Sequence, residues 1–574
     1  MRRRVMIEMK RRVLKTLKII GITLTSVIGA VIILFAVLIG MISLSNNPDW
    51  INEEDYQSEQ FYAGDVQFLD APAQNAKWSL GYSQKILTPD DLGGRPYYMG
   101  GYLTLPAKKI YEKFDDMKVR TIVLDDNSER GKVAFAVIDS IGLSNADVRQ
   151  IRALLANYAK EHNIVSINVL TTHVHSTIDT QGLWCSLPKA IARNVFTTNK
   201  AEKAAFSGRD PAFMQSLYEK TAASVKEACE NMRTGRLLYA VKKAENYFTD
   251  KREPKIMIEE VYRLRFVPDD ENVKPTCIVN LSAHPEVTGL TTDDNPGDVL
   301  SSDYTAYMEQ IINEEGYHFM FFQGAIGGLI GVNRGVSNDG LPMEELITDD
   351  VTPRHEQTRR WGWEMGKFVS AMTVTEEQIL ADKTLYDKAQ EDQELAIAEH
   401  PEKYSKWYDG WEPVQETEVD PILNITLQEV KLPMTNFVFQ LVGKMRLINN
   451  IVLKSMEDRG DLLTITEVGY CEIGKQVKVA LMPGELNPEL AVDGPNMHAS
   501  GSYSGEEFGL PPMKDMISSG DLLVFGMAND AVGYIIPDND FGPFYQKDHY
   551  EELLSFGKHE ASALVSVFQA LAKK

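Results

Sequence analysis

From Lys77 onward the apolar positions follow two alternating periods. Arg120 to Leu124, Val133 to Ile138 and Ile164 to Leu170 are short runs rich in β-branched residues and read as strands. Between the last two, Asn145 to Ala159 places Val148, Ile151, Leu154 and Leu155 on one helical face, with Asn145 as candidate cap. Val261 to Val267 and Thr276 to Ala283 continue the strands, Asp303 to Glu314 predicts a helix, and His318 to Gln323 predicts a buried strand. Val477 to Met482 and Leu522 to Met527 predict two later strands, and Glu551 to Ala572 a terminal helix. Strand, helix and strand in succession predict an α/β fold with chemistry at the strands' carboxyl ends. Residues 380–460 predict a helical insertion, charged at first and then apolar from Leu432 to Leu453. That second part is either an internal packed helix or a surface that touches lipid.

The first 75 residues break this pattern. Residues 1–18 form a basic arm, in which eight Lys and Arg oppose Glu8 for a net of +7. Ile19 to Leu44 then runs 26 residues without a charge, long enough to cross a bilayer core of ~30 Å as one transmembrane helix; the alternative is a cleaved signal peptide, against which the run is longer than a usual apolar region and has no clear small-x-small site after it. The basic flank predicts a cytoplasmic amino terminus and an extracytoplasmic body, hence a single-pass protein of the cell membrane. Residues 45–75 are polar and acidic and predict a stalk, leaving 76–574 as the catalytic domain.

The chain carries −23 in total, so the part beyond the arm carries −30. A body this acidic is not built to bind nucleic acid through phosphates. The four cysteines, Cys185, Cys229, Cys277 and Cys471, lie far apart with no CxxC spacing, which argues against a zinc knot or a disulfide scaffold and leaves room for one incidental disulfide outside the cell.

The chemistry concentrates where strands should end. Thr171-Thr172-His173-Val174-His175-Ser176 follows a buried strand at once, and two histidines at i and i+2 on extended backbone would point the same way. His284 follows Cys277 to Ala283, Glu485 follows Val477 to Met482, and Tyr534 follows Leu522 to Met527 after a short loop. An open zinc site wants three or four such ligands and a position left for water.

At many points, in order, the chain resembles the neutral/alkaline non-lysosomal ceramidases in their amino-terminal catalytic domain. Gly81 to Pro89 with Tyr98-Met99-Gly100-Gly101-Tyr102 is similar to the family's opening segment. Val133 to Gly142, Thr172 to Ser176, and Ala283-His284-Pro285 with Ser302-Asp303 and Tyr307 resemble the blocks that follow. Met482 to Leu486, Asn529 to Tyr534 and Ser555 to His559 resemble the last three. The resemblance implies a mixed-sheet ceramidase-like hydrolase fold. It assigns Zn2+ to His173, His284, Glu485 and Tyr534, makes His175 a catalytic proton carrier, and sets Arg252 near the substrate. One block departs: in Gln323 to Asn333, Gly328 stands where the family has Asp and Ile330 where it has Ser.

The expectation is therefore a membrane-anchored extracytoplasmic zinc amidohydrolase acting on an N-acyl lipid or related amide through zinc-activated water, without an acyl-enzyme. The rival is a ceramidase-like domain that lost its Ser and only binds a lipid or glycan.

Overall fold

The computed structural model describes residues 36–44, 50–58, 66–104, 106–197, 207–288, 299–333, 354–372, 415–455, 462–547 and 549–574, with a few isolated positions between them. Its frame is two mixed sheets packed face to face. The first holds β1 (Trp78–Ile86), β2 (Lys118–Asp125), β3 (Lys132–Ile138), β4 (Ile164–Thr171), β5 (Arg233–Lys243), β6 (Glu260–Pro268), β7 (Thr276–Leu281) and β8 (His318–Gln323). Their order is β8-β7-β6-β5-β1-β2-β3-β4, with Thr417–Glu418 as a ninth strand on β5. The two outermost pairs, β7·β8 and β3·β4, are parallel, and the pairs between are antiparallel.

The second sheet holds β9 (Leu423–Pro433), β10 (Val452–Lys454), β11 (Leu462–Ile473), β12 (Val477–Leu481) and β13 (Asp521–Phe525). β9 lines one edge of β11 over its length, while β10 and β12 share the other edge. β13 joins β12 in parallel, and Ile51–Asn52 adds a sixth strand on β10.

The period of two explains the layering. On β3, Val133, Phe135 and Val137 enter the core between the sheets, while Ala134, Ala136 and Ile138 face the helices on the other side. Phe322 of β8 stacks on Phe525 of β13 at 3.9 Å, and Phe135 meets both edge-on. The helix-facing side is covered by α1 (Asn145–Glu161) and α3 (Pro211–Glu230), with α2 (Leu187–Phe196) between them in sequence. α4 (Tyr304–Glu314) and α5 (Arg354–Ser370) pack beside β7 and β8. α6 (Phe437–Lys444) and α7 (Glu560–Leu571) join the core behind the second sheet.

The structure corrects several expectations. α1 is capped by Ser144, not Asn145: Ser144 and Asp147 bond each other's backbone N–H in a capping box. Asp303 caps α4 from outside it. The terminal helix begins only at Glu560, because Glu551–Leu554 is a separate 3-10 turn. The helical insertion is corrected over its described second half, where Leu423–Pro433 and Val452–Lys454 are strands of the second sheet. Only the eight residues of α6 are helical there; sheet pairing overrode the local apolar pattern. The first half of that insertion lies mostly outside the described residues.

The stalk is partly corrected too. Trp50, Ile51 and Asn52 pack on the body, and Tyr56 Oη donates to Glu429 at 2.7 Å. Most of the expected transmembrane span lies outside the described residues, and among those described no helix is long and apolar enough to cross a membrane. Residues 36–44 are helical and not detached: Ile42 is buried in the body's core, with Leu38 against it.

Candidate metal centre

Four strands deliver the site. β4 ends at Thr171, and His173 follows at φ 60 in the left-handed region. The two histidines therefore converge through a tight turn, not along extended backbone as expected; a non-glycine residue at positive φ is uncommon and marks a constrained site. β7 ends at Leu281, three residues before His284. β12 leads to Glu485 and β13 to Tyr534, where Glu485–Leu486 and Tyr534–Ile535 form a short parallel pair that sets the two side by side.

The loops are braced across the sheets. Gln323, at the end of β8, donates its amide to the carbonyls of Thr172 at 3.1 Å and Ala283 at 2.8 Å, one residue before each histidine. Asn529, after β13, exchanges bonds with the Val169 backbone of β4. Gly101, at φ 105, lets its backbone lie against the His175 ring; a Cβ there would meet the ring at 2.7 Å.

His173 Nδ1 lies 2.7 Å from the Ile141 carbonyl, and His284 Nδ1 lies 2.7 Å from the Ile330 carbonyl. A carbonyl only accepts, so each Nδ1 carries its proton and each Nε2 faces inward. The inward face is Glu485: its Oε2 lies 3.0 Å from His284 Nε2 and 3.3 Å from His173 Nε2. Ligand atoms about 2.0–2.1 Å from a tetrahedral zinc stand about 3.3 Å apart, so these separations fit a shared ion.

His175 joins them. Ligand atoms of His173, His175 and His284 lie within 4.8 Å of one another. Both His175 ring nitrogens are buried without a hydrogen-bond partner among the described residues, an arrangement that costs stability unless something completes it. Burial, and then the neighbouring His173, push the His175 imidazole down to about 3. At neutral pH the ring is therefore uncharged, with one nitrogen free to accept. Burial, and then Glu485, push the Tyr534 phenol well above its ordinary range. Tyr534 Oη stands 3.3 Å from Tyr550 Oη, and its ring is 6.5 Å from that of His284.

His173, His175, Glu485 and Tyr534 line a cavity of about 310 Å³ whose other walls are mainly apolar, among them Leu103, Trp184, Phe439 and Phe556. Sequence reasoning missed Glu286, two residues past His284, which also lines it. Burial opposes its charge, but His284, His175 and Lys251 hold the Glu286 carboxyl down at about 2. Trp184 was missed as well; its indole N–H is buried, unpaired and at the cavity wall.

Arg252 is engaged in a buried cluster of carboxylates. Its guanidinium is held by Glu551 at 2.9 Å, Asp540 at 3.0 Å and Glu552 at 3.2 Å, and it is not among the cavity-lining residues. Ile330 likewise turns its side chain into the apolar cluster of Tyr247, Phe248 and Trp361; only its carbonyl serves the site, through His284. The four cysteines are free.

No protein-family model matches the chain, and no sequence among the curated proteins does. Two solved structures share its architecture. One is the neutral ceramidase from Pseudomonas aeruginosa, at TM-score 0.56 and 13% identity, over 87% of this chain and 74% of that one. The other is a ceramidase complexed with C2, at TM-score 0.54 and 13% identity, over 87% and 75%. The chain has a neutral ceramidase-like fold.

Proposed function

We propose that this protein is a zinc-dependent amidohydrolase that cleaves the amide of an N-acyl lipid. One observation carries the reading. Two imidazoles with fixed tautomers and a carboxylate meet at zinc-ligand spacing beside an apolar cavity, next to a third imidazole whose nitrogens have no hydrogen-bond partner among the described residues. His173, His284 and Glu485 would hold the ion, with Tyr534 as fourth ligand. When bound, zinc supplies a Lewis acid and lowers the pKa of a coordinated water towards ~7.

The chain's own residues do the rest. His175 offers an unpaired nitrogen that accepts a hydrogen bond or proton from the attacking water. The apolar walls hold the acyl chain and exclude bulk water, which strengthens every polar contact at the floor. The Trp184 N–H is a free donor for the substrate's polar end. No serine is required, consistent with an Ile330 side chain that points away. The body is anchored, in this reading, by residues 19–44, with the amino terminus cytoplasmic and the catalytic domain outside. The uncharged run behind the +7 arm supports that topology.

The test is metal analysis of the purified protein together with hydrolysis of a panel of N-acyl lipids. About one zinc per chain and release of fatty acid are expected. Tight retention of lipid with no turnover on any member would replace the enzyme with a binding protein. For the topology, protease added to intact cells should remove the body; protection until lysis would reverse the orientation.

A further inference from the structure

The helical residues 36–44, with Ile33 and Leu34 just before them, are apolar all round, yet only one stripe meets protein. Leu38 and Ile42 pack on the body. Ile33, Leu34, Val37, Met41 and Leu44 point away from it and are 53–89% exposed. A strip of this kind is stable only against an apolar medium, and it is the end of the 26-residue uncharged run.

The same strip touches α6. Lys444 at the end of α6 donates to the Ser43 carbonyl, and its ammonium lies 6.0 Å above the Trp50 ring. The Trp50 ring also packs at Gly443, where an added Cβ would stand 3.4 Å from it. A tryptophan and a lysine at the end of an apolar span are the pair that marks a membrane–water boundary. α6 itself has two faces. Phe439 lines the cavity above the histidines, while Phe437 and Val438 are 54% and 37% exposed.

We infer that α6 is a bilayer-docking helix: the anchor's last turns fix it at the membrane surface, Phe437 and Val438 enter the acyl layer, and the cavity behind Phe439 is filled from that layer. The occupant is a lipid bilayer and not a protein, because the strip that α6 continues is the carboxyl end of the apolar span. Adhesion is by apolar insertion: a body carrying −30 gains nothing from anionic headgroups. The inference extends the proposed function, since it says where the lipid substrate is taken from.

The test uses the full chain reconstituted in phosphatidylcholine vesicles, with photoreactive benzoylphenylalanine at position 437 or 438, and at 154 as an exposed control on α1. Lipid adducts are expected at 437 and 438 and not at 154, unchanged by salt and not increased by added phosphatidylserine. Adducts at 154 equal to those at 437 and 438, or none at 437 and 438, would overturn the inference. A second arm compares substrates. Phe437→Asp with Val438→Asp should slow hydrolysis of a vesicle-embedded N-acyl amide about tenfold or more, the scale of one buried aromatic side chain, and leave a soluble short-chain amide unchanged. Phe437→Leu should keep both. An equal loss on both substrates would make α6 merely structural. Lipid adducts without turnover of any amide would sink the hydrolase reading and leave the docking helix standing.

Discussion

Two buried groups of charge lie close in this molecule and are built on opposite principles. Around Arg252, three carboxylates and a guanidinium bond one another at 2.9–3.2 Å, and His549 adds a bond to Glu552 at 2.6 Å. The group is closed except at the Arg252 Nε, which has no hydrogen-bond partner among the described residues, and its work is to tie the segments around residues 252, 540 and 551 together. Around Glu485, the Nδ1 atoms of His173 and His284 are satisfied from behind by backbone while the inward atoms crowd one another, and the His175 nitrogens have no hydrogen-bond partner among the described residues. That group is open at its centre. Density of ionisable residues is the same signal in both; the unmet hydrogen-bonding capacity separates a site from a brace.

Substitutions can break this contrast. The largest effect is expected for His173→Ala, which removes an inward nitrogen: zinc content by mass spectrometry should fall to background and hydrolysis should vanish, with the circular dichroism spectrum retained. Zinc retained at full stoichiometry would move the ligand set elsewhere. His175→Ala should lower kcat by about 10²–10⁴ while zinc stays bound; loss of zinc instead would make His175 a ligand. Arg252→Ala should do the reverse. It strands three buried carboxylates and should cost about 3–5 kcal/mol in denaturant unfolding, with zinc content unchanged.

Ile330→Ser sharpens the point about the missing serine. The side chain is fully buried among aromatics, so the change should cost about 2–5 kcal/mol and confer no acyl-enzyme, read by rapid-quench mass spectrometry. The smallest effect is in pH. Burial raises the Glu551 carboxyl to about 7 despite Arg252. A raised carboxyl contributes stability that is complete below its unfolded value near 4.5 and is lost as pH rises through about 7. The unfolding free energy from urea titrations should therefore fall between pH 5 and 7 by up to about 1.4 kcal/mol per unit, and Glu551→Gln should flatten that slope.

The strands were legible because their evidence is local. His318 to Gln323 was read to the residue, and β2, β3, β4, β6 and β7 to within two at each end. The failures fall where a distant partner decides. Leu432 to Leu453 has the composition of a helix, but β11 supplies a pairing edge for Leu423–Pro433 and Val452–Lys454. Arg252 carried a motif match, and only the fold brings Glu551 and Glu552 to it from some 300 residues away. Glu286 stood beside His284 in the sequence, yet nothing local distinguishes it from a solvated acid.

By itself the sequence determined the alternation of strands and helices, the acidic body behind an apolar run, and the residue types waiting at strand ends. These follow from side-chain period and composition, which are properties of neighbours. Tertiary structure decided which of those residues meet. The carbonyls that fix two tautomers and the Gln323 brace depend on contacts between segments 32 to 151 residues apart, and the left-handed turn at His173 and the unmet hydrogen-bonding capacity of His175 exist only within that frame. A linear pattern cannot encode a distance, and the site consists of distances.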